Sequence, residues 1–196
     1  RTCKDQPMRH EPRITPIGPA DLARTVALHH RCSPQTLWSR YHRAMPDPLT
    51  YLPTLLTRPG SVHLAVQDVT GRHVAVGHLM PDHQAAEAAL LVEDSWQGRG
   101  LGTRLLRRLA RHALSDGWDT LYGLFLAGDE RIDAMLRHAD VPVHRTEEGD
   151  TVTAWAGARD LAALRTERTN PPRPRLRFRG RCPRDDATTP ARGCSG

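Results

Sequence analysis

The chain has 196 residues, 38% of them hydrophobic, and a formal net charge of +6, which suits one domain with a substantial core. No apolar run approaches the roughly 18 residues that span a membrane, and the first residues lack the apolar core of a signal peptide. We therefore expect a cytoplasmic protein with no membrane partner. The four cysteines form no CxxC pair, so neither a disulfide framework nor a zinc site is indicated, and no metal is expected.

The excess positive charge lies at the C-terminal end of the sequence. From residue 165 onward, nine arginines stand against three acidic residues, so this segment carries the whole net charge of +6. It is rich in proline and poor in apolar residues, and cannot bury enough surface to offset its ordering entropy. The alternative, docking to RNA or an acidic partner, is less favoured than a solvated tail. We expect a flexible segment at 1–12, one domain at 13–164 and a disordered basic tail at 165–196.

The spacing of apolar residues predicts strands and helices across the domain. Ser33 and Pro34 suit a helix N-cap and a first helical residue, so the second helix should begin there. A turn signal at 68–71 separates two apolar or alternating runs and predicts a hairpin, and the turn at 148–150 predicts a second one. The predicted strands are 61–67, 73–80, 88–92, 120–126, 141–145 and 151–155, and the predicted helices are 101–113 and 129–139.

A glycine loop joins the predicted strand at 88–92 to an amphipathic helix. In Gln97–Gly102, three glycines at alternate positions let the backbone turn sharply and approach a ligand closely. The first amides of the following helix lack intrahelical partners and lie at the positive end of the helix dipole. Strand, glycine loop and helix together predict a phosphate-binding site. The alternative is a glycine-rich turn with a purely structural role.

Two common phosphate-binding motifs do not fit this loop. A Walker loop ends in Gly-Lys-Ser/Thr, and the only lysine of the chain is Lys4. A dinucleotide fingerprint has the form G-x-G-x-x-G, whereas Gly98, Gly100 and Gly102 are each two residues apart. The phosphate compound must therefore be bound by another kind of loop.

The loop resembles the pyrophosphate motif of one enzyme family. Gln97–Gly102, followed by Thr103, matches Gln/Arg-x-x-Gly-x-Gly/Ala of the GCN5-related N-acetyltransferases (the GNAT superfamily) at every defined position. The order of elements from residue 13 to 158 is also similar to that family: 13–17 looks like its first strand and 21–30 like its first helix. Segment 33–42 resembles the second helix of bacterial members related to protein-lysine acetyltransferases. The resemblance implies an α/β (α+β) fold whose central sheet is mixed but mostly antiparallel. It would have about six to seven strands, splayed between strands 4 and 5, and about four flanking helices.

The resemblance also implies an acyl-CoA N-acyltransferase. It would transfer an acetyl group from acetyl-CoA to a primary amine of a small molecule or a protein lysine, by direct attack in a ternary complex. The pyrophosphate would bind the loop amides, the pantetheine arm would pair with the main chain of Leu91 and Val92, and an amide near Val92 would receive the thioester oxygen. The partners implied are acetyl-CoA and an amine acceptor, and a homodimer stays open. The implied cofactor-binding residues are Leu91, Val92, Gln97, Gly98, Arg99, Gly100, Leu101, Gly102, Thr103 and Asp129.

Glu87 is the candidate general base. Ala86-Glu87 resembles the Ala-Glu pair that begins this strand in histone and protein-lysine acetyltransferases, where the glutamate removes the substrate proton. Side chains alternate along a strand, so Glu87, Ala89 and Leu91 should share one face. The alternative is an exposed carboxylate at the end of the strand. Weaker candidates are His78 and His83, and Glu93 and Asp94, which lie in a turn where acidic residues are usually solvated.

The last predicted helix departs from the family pattern. Many members carry Asn-x-x-Ala-x-x-x-Tyr, in which the tyrosine protonates the departing thiolate, but Asp129 and Leu136 occupy those two positions here. Solvent or another residue must then protonate CoA, and Tyr122 is a candidate, although a tyrosine of the core or an interface is the better interpretation. An acyl-CoA-binding module without turnover therefore stays open as a second interpretation. Trp38, Tyr41 and Tyr51 are candidates for the acceptor pocket, or else core residues.

Overall fold

The computed structural model describes residues 12–43, 47–129, 132, 134, 135, 137 and 140–164. Apart from Pro12, the two terminal segments predicted to be flexible lie outside these residues, as does Leu136. The described residues form one seven-stranded sheet with helices on both faces. None of the helices described is both long enough and apolar enough to cross a membrane.

The elements follow the predicted order, with two additions. Helices α3 and α5 were not predicted, because a five-residue helix is too short to display a helical period. Within the predicted helix at 129–139, residues 132, 134, 135 and 137 are helical. The strands are β1 Arg13–Pro16, β2 Val62–Gln67, β3 His73–Asp82, β4 Ala85–Val92, β5 Thr120–Leu126, β6 Val143–Glu148 and β7 Thr151–Gly157. The helices are α1 Leu22–Arg31, α2 Pro34–Tyr41, α3 Leu52–Leu56, α4 Leu101–Ser115 and α5 Ala158–Ala162, with short 3-10 helices at Pro19–Asp21, Pro48–Thr50 and Asp94–Trp96.

The sheet is divided between β4 and β5, as the resemblance implied. The strand order is β1-β2-β3-β4-β5-β7-β6, and every neighbouring pair is antiparallel except β4 and β5. Those two strands pair only at Ala86 with Leu121 and at Glu87 with Tyr122. On its other edge β4 stays paired with β3 as far as Val92. The Ala88 carbonyl oxygen still lies 3.3 Å from the position that a Cβ on Gly123 would occupy, so the β5-facing edge of β4 lines a gap between the strands from Ala88 onward.

The alternation of side chains along β4 assigns its residues to two core layers. Ala86 packs in the layer beneath α4 and α5, where Leu105 and Leu109 are fully buried. Ala89 and Leu91 pack on the opposite face, against residues of α1 and α3. Glu87 has the parity of Ala89 and Leu91 and shares their face, as predicted, and the structure shows that α1 and α3 pack on this face.

Candidate functional site

The glycine loop forms the turn into α4. Gly98 and Gly100 have φ values of +69° and +75°, in the left-handed region that strains residues with a Cβ atom. No atom lies within 4 Å of the position that a Cβ would occupy on either glycine. Among the described residues, no side chain therefore covers the backbone of the loop at these two glycines.

The backbone amides of residues 98–103 donate to no acceptor among the described residues. The first hydrogen bond of α4 runs from the Arg104 amide to the Gly100 carbonyl, at 3.0 Å. Free amides at the positive end of a helix dipole attract anions, and Thr103 adds a hydroxyl in the first turn of the helix. These groups can together bind a pyrophosphate.

Two predicted cofactor residues direct their side chains back to the protein. The Gln97 amide nitrogen donates to the Val92 carbonyl at 3.0 Å. The Arg99 guanidinium donates to the Ser95 carbonyl at 2.9 Å and lies 4.7 Å above the Trp96 ring. Both side chains therefore stabilise the loop through contacts with the residues that precede it. The Val92 carbonyl, part of the main chain predicted to pair with the pantetheine arm, thus already accepts one hydrogen bond from Gln97.

Asp94 fastens the start of α2 to the loop. Its carboxylate accepts from the Ser33 hydroxyl at 2.6 Å, the Ser33 amide at 2.8 Å and the Thr36 hydroxyl at 2.9 Å. The Thr36 hydroxyl accepts in turn from Gln97, at 3.1 Å. Partial burial acts to raise the pKa of Asp94, but hydrogen bonds from Ser33 and Thr36 outweigh it and hold the pKa below its usual range. Asp94 is exposed, as expected of a turn residue, but its carboxylate is also bound by α2 and is not merely solvated.

Glu93 is also a structural residue. It is 7% exposed, and its carboxylate accepts from the Arg31 Nε at 2.9 Å and from the Ser95 hydroxyl at 3.0 Å. A second guanidinium, that of Arg72, lies 3.7 Å away. Because Glu93 is buried and its carboxylate contacts two guanidinium groups, it links α1 to the end of β4 and is not a solvated acid.

Asp129 lies on the far side of the gap, directly after β5. Its carboxylate accepts a hydrogen bond from the Ser39 hydroxyl of α2. Three residues earlier on the same helix, Thr36 contacts Gln97 beyond the end of β4. Helix α2 thus contacts both sides of the gap. Through Ser39 it also binds the side chain of Asp129, a residue that was predicted to contact the cofactor.

Glu87 lies where the gap begins. Together with Tyr122 it forms the last pair between β4 and β5. Its side chain is half-buried and has no hydrogen-bond or ion-pair partner among the described residues. A carboxylate in this position can accept a proton from a group that enters the gap.

Tyr122 is poorly suited to protonate a thiolate. Its hydroxyl donates to the Asp82 carboxylate at 2.6 Å. Burial, this hydrogen bond and the negative charges of Glu87 and Asp82 together raise the pKa of Tyr122. Since a thiol is a stronger acid than such a phenol, proton transfer from Tyr122 to the thiolate is unfavourable. Asp82 was not predicted, because the third strand was expected to end at residue 80.

The two candidate histidines lie in opposite environments. His78 is 1% exposed, and its Nδ1 is 2.9 Å from the Nδ1 of His63. Burial lowers the pKa of His78 well below its usual value. The His83 side chain is 94% exposed. Neither imidazole is placed in the gap.

The predicted acceptor-pocket aromatics are divided between core and surface. Tyr41 is half-buried, and its hydroxyl donates to the Nε2 of His29 at 2.6 Å. Trp38 is 47% exposed on α2. Tyr51 lines a cavity of about 310 Å³ together with Met80. Because Met80 lies on the strand beside β4, this cavity adjoins the face that carries Glu87.

Comparison with known proteins identifies the family. A family model described as "Acetyltransferase (GNAT) family" matches residues 25–131, more than half of the chain. The chain belongs to the GNAT acetyltransferase family. No curated protein matches its sequence.

Solved GNAT structures share the fold. The GNAT domain of S. lividans PAT has a TM-score of 0.68 at 21% identity, over 74% of this chain and 90% of that one. A phosphinothricin acetyltransferase from Sinorhizobium meliloti, in complex with AcCoA, has a TM-score of 0.61 at 12% identity, over 75% and 88%. A ribosomal-protein-alanine N-acetyltransferase from Brucella melitensis has a TM-score of 0.57 at 16% identity, over 74% and 99%.

The predicted family and fold class are thereby confirmed. In this GNAT protein one strand, β4, carries both candidate parts of the site: Glu87 lies where the gap begins, and the glycine loop follows the other end. The stretch of β4 from Glu87 to Val92, about 16 Å long, and the short 3-10 helix that follows it together separate the carboxylate from the loop amides.

Proposed function

We propose that this GNAT protein transfers an acetyl group from acetyl-CoA to a primary amine of a small molecule or a protein lysine. The observation that supports the proposal is the edge of β4 along the gap, with free amides after one end and Glu87 at the other. A long thioester arm bound along this edge would connect the two.

Acetyl-CoA is expected to bind along β4. Its pyrophosphate accepts hydrogen bonds from the amides of 98–103 and from the Thr103 hydroxyl. The pantetheine arm pairs with the main chain of Leu91 and Val92 as an added strand would. The Leu91 side chain is 2% exposed and packs in the core, so its contribution is through the main chain alone.

Glu87 acts as the general base in the proposed reaction. It takes a proton from the amine, directly or through water, as the nitrogen bonds to the thioester carbon. A backbone amide near Val92 stabilises the developing oxyanion. The carbon–sulfur bond then breaks, and the thiolate takes a proton from solvent, because Tyr122 is a poor donor. The products are an amide, the CoA thiol and one released proton.

Replacing Glu87 tests the base. We expect Glu87→Gln to lower kcat by about 100- to 10,000-fold, since it removes a general base, and to leave the Kd for acetyl-CoA unchanged. Thiol release over a panel of amines and peptides measures kcat, and titration calorimetry measures Kd. Glu147→Gln is the matched control, because Glu147 is exposed and projects from the face of the sheet opposite to that of Glu87. Normal turnover in Glu87→Gln would refute the assignment of the base.

The alternative function is an acyl-CoA-binding module without turnover. It is favoured by Leu136 in the place of the family tyrosine, and by the raised pKa of Tyr122. If the protein binds acetyl-CoA but releases no CoA with any acceptor of the panel, this alternative replaces the enzymatic proposal.

A further inference from the structure

Five side chains form one row across the sheet where the gap begins. The strand register pairs Met80 with Glu87, Glu87 with Tyr122, Tyr122 with Trp155, and Trp155 with His144. Residues paired in this way project from the same face of a sheet. All five therefore lie on the α1–α3 face, the face of Glu87.

The part of the row beyond Glu87 is aromatic and accessible. The ring centroids of Tyr122 and Trp155 are 6.4 Å apart, and those of Trp155 and His144 are 5.7 Å apart. His144 is exposed, and Leu124, which follows Tyr122 on the same face of β5, is 44% exposed. Helices α1–α3 thus leave a strip of aromatic rings open to solvent beside the gap.

Accessible carboxylates flank this strip at Tyr122. One oxygen of Asp82 accepts from the Tyr122 hydroxyl at 2.6 Å, and the other lies 3.7 Å from the Nε2 of His83, a side chain that is 94% exposed. The Asp82 side chain is itself 44% exposed. The Glu87 carboxylate has no hydrogen-bond or ion-pair partner among the described residues, and its electrostatic neighbours are His42 and Tyr122. Among the charged groups near Tyr122, two are carboxylates, Glu87 and Asp82, and one is the Arg58 guanidinium, which donates to the Pro81 carbonyl, so the three together carry a net negative charge.

We propose that this row binds the acceptor, that Asp82 binds its ammonium group, and that its stem lies along the Tyr122 and Trp155 rings. The acceptor is then an alkylammonium: a primary ammonium on an unbranched apolar stem. Aromatic faces attract both the cation and its methylene groups, and a carboxylate beside them adds a charge-assisted hydrogen bond. Tyr122 orients Asp82 through its hydroxyl, and Glu87 takes the proton as described above. This inference rests on the proposed function.

Asp82→Asn is the central test, since asparagine keeps the shape and can still accept from Tyr122. The acceptors are pentylamine, Nα-acetyl-lysine amide and 4-methylaniline, an arylamine that is uncharged at neutral pH. We expect the KM for the alkylammonium acceptors to rise about 10- to 100-fold, with little change in kcat or in the Kd for acetyl-CoA. The KM for the arylamine should not rise. Asp116→Asn, at the exposed end of α4, is the matched control.

Trp155 provides an independent variant. Trp155→Ala should raise the KM for both alkylammonium acceptors, whereas Trp155→Phe should largely restore it, because a ring face is retained. A lower KM for Nα-acetyl-lysine amide than for pentylamine would indicate a lysine side chain as the source of the alkylammonium, and the reverse order a free amine.

Each remaining outcome counts against a specific statement. If the wild-type protein acetylates alkylammonium acceptors and Asp82→Asn leaves their KM unchanged, the inference fails while the proposed function stands. The same holds if the wild-type protein acetylates only the uncharged arylamine. If no acceptor releases CoA although acetyl-CoA binds, both fail.

Discussion

Gly100 and Gly102 lie in one loop but tolerate different substitutions. Gly100 is the N-cap of α4 with a φ of +75°, whereas Gly102 is already helical. A Cβ on Gly102 would lie 3.8 Å from the Met135 sulfur and 3.9 Å from a Leu90 methyl group, which are ordinary contacts. The backbone conformation, and not the available space, is therefore what requires glycine at position 100.

This difference predicts opposite effects of alanine at the two positions. Gly100→Ala should lower the free energy of unfolding by about 1 kcal/mol, because of its left-handed backbone, and weaken acetyl-CoA binding. Gly102→Ala should be neutral or stabilising, since alanine favours a helix interior. Urea denaturation and acetyl-CoA titration measure both. Equal losses from the two substitutions would contradict this account of the loop.

At the scale of elements, α2 is the helix that connects the two sides of the gap. Its N-cap, Ser33, was predicted from the sequence, and the Ser33 hydroxyl accepts from the Thr36 amide at 3.2 Å. The partners that orient the helix were not predicted, because Asp94 and Asp129 are more than 50 residues away in the chain. A helix cap can be recognised from neighbouring residues, whereas the position of the helix depends on which distant loops the fold places beside it.

Loss of the Asp94 carboxylate should loosen this helix. Asp94→Asn should lower the free energy of unfolding by about 1 kcal/mol at neutral pH, because it weakens the hydrogen bonds from Ser33 and Thr36. The pKa of Asp94 is lowered in the folded state, so its contribution is present above about pH 3.8 and is lost as the pH falls through the folded-state pKa. Urea denaturation of both proteins should therefore give a difference that shrinks in acid. Asp116→Asn is again the control, and a difference independent of pH would count against a role for the charge.

At the scale of the whole molecule, buried histidines make stability depend on pH. Burial lowers the pKa of His29 to about 4, and it also lowers the pKa values of His63, His73 and His78. The unfolded chain binds protons at these imidazoles below about pH 6.5, while the folded chain does not. Stability is therefore present above that pH and is lost as the pH falls toward 4.

Acid should therefore destabilise the protein well before its carboxylates titrate. His29 alone should contribute a loss of about 3 kcal/mol between neutral pH and pH 4. Urea denaturation at pH 7.5, 6 and 5, with proton uptake on unfolding, measures the loss. His83→Gln, at an imidazole that is 94% exposed, is the control for a histidine outside the core. A stability that stays constant from pH 7.5 to 5 would contradict the neutral state of these histidines.

The sequence by itself determined the family, the order of the longer elements and the glycine loop. Helical period, strand alternation and the need for glycine at positive φ are local properties, so they can be read from neighbouring residues. It missed α3 and α5, which are too short to show a period. The tertiary structure decided that Asp82 would meet Tyr122, that Asp94 would fasten α2, and that Glu87 would share a row with Trp155. Those contacts depend on strand register and on packing between distant segments, and no local pattern encodes them.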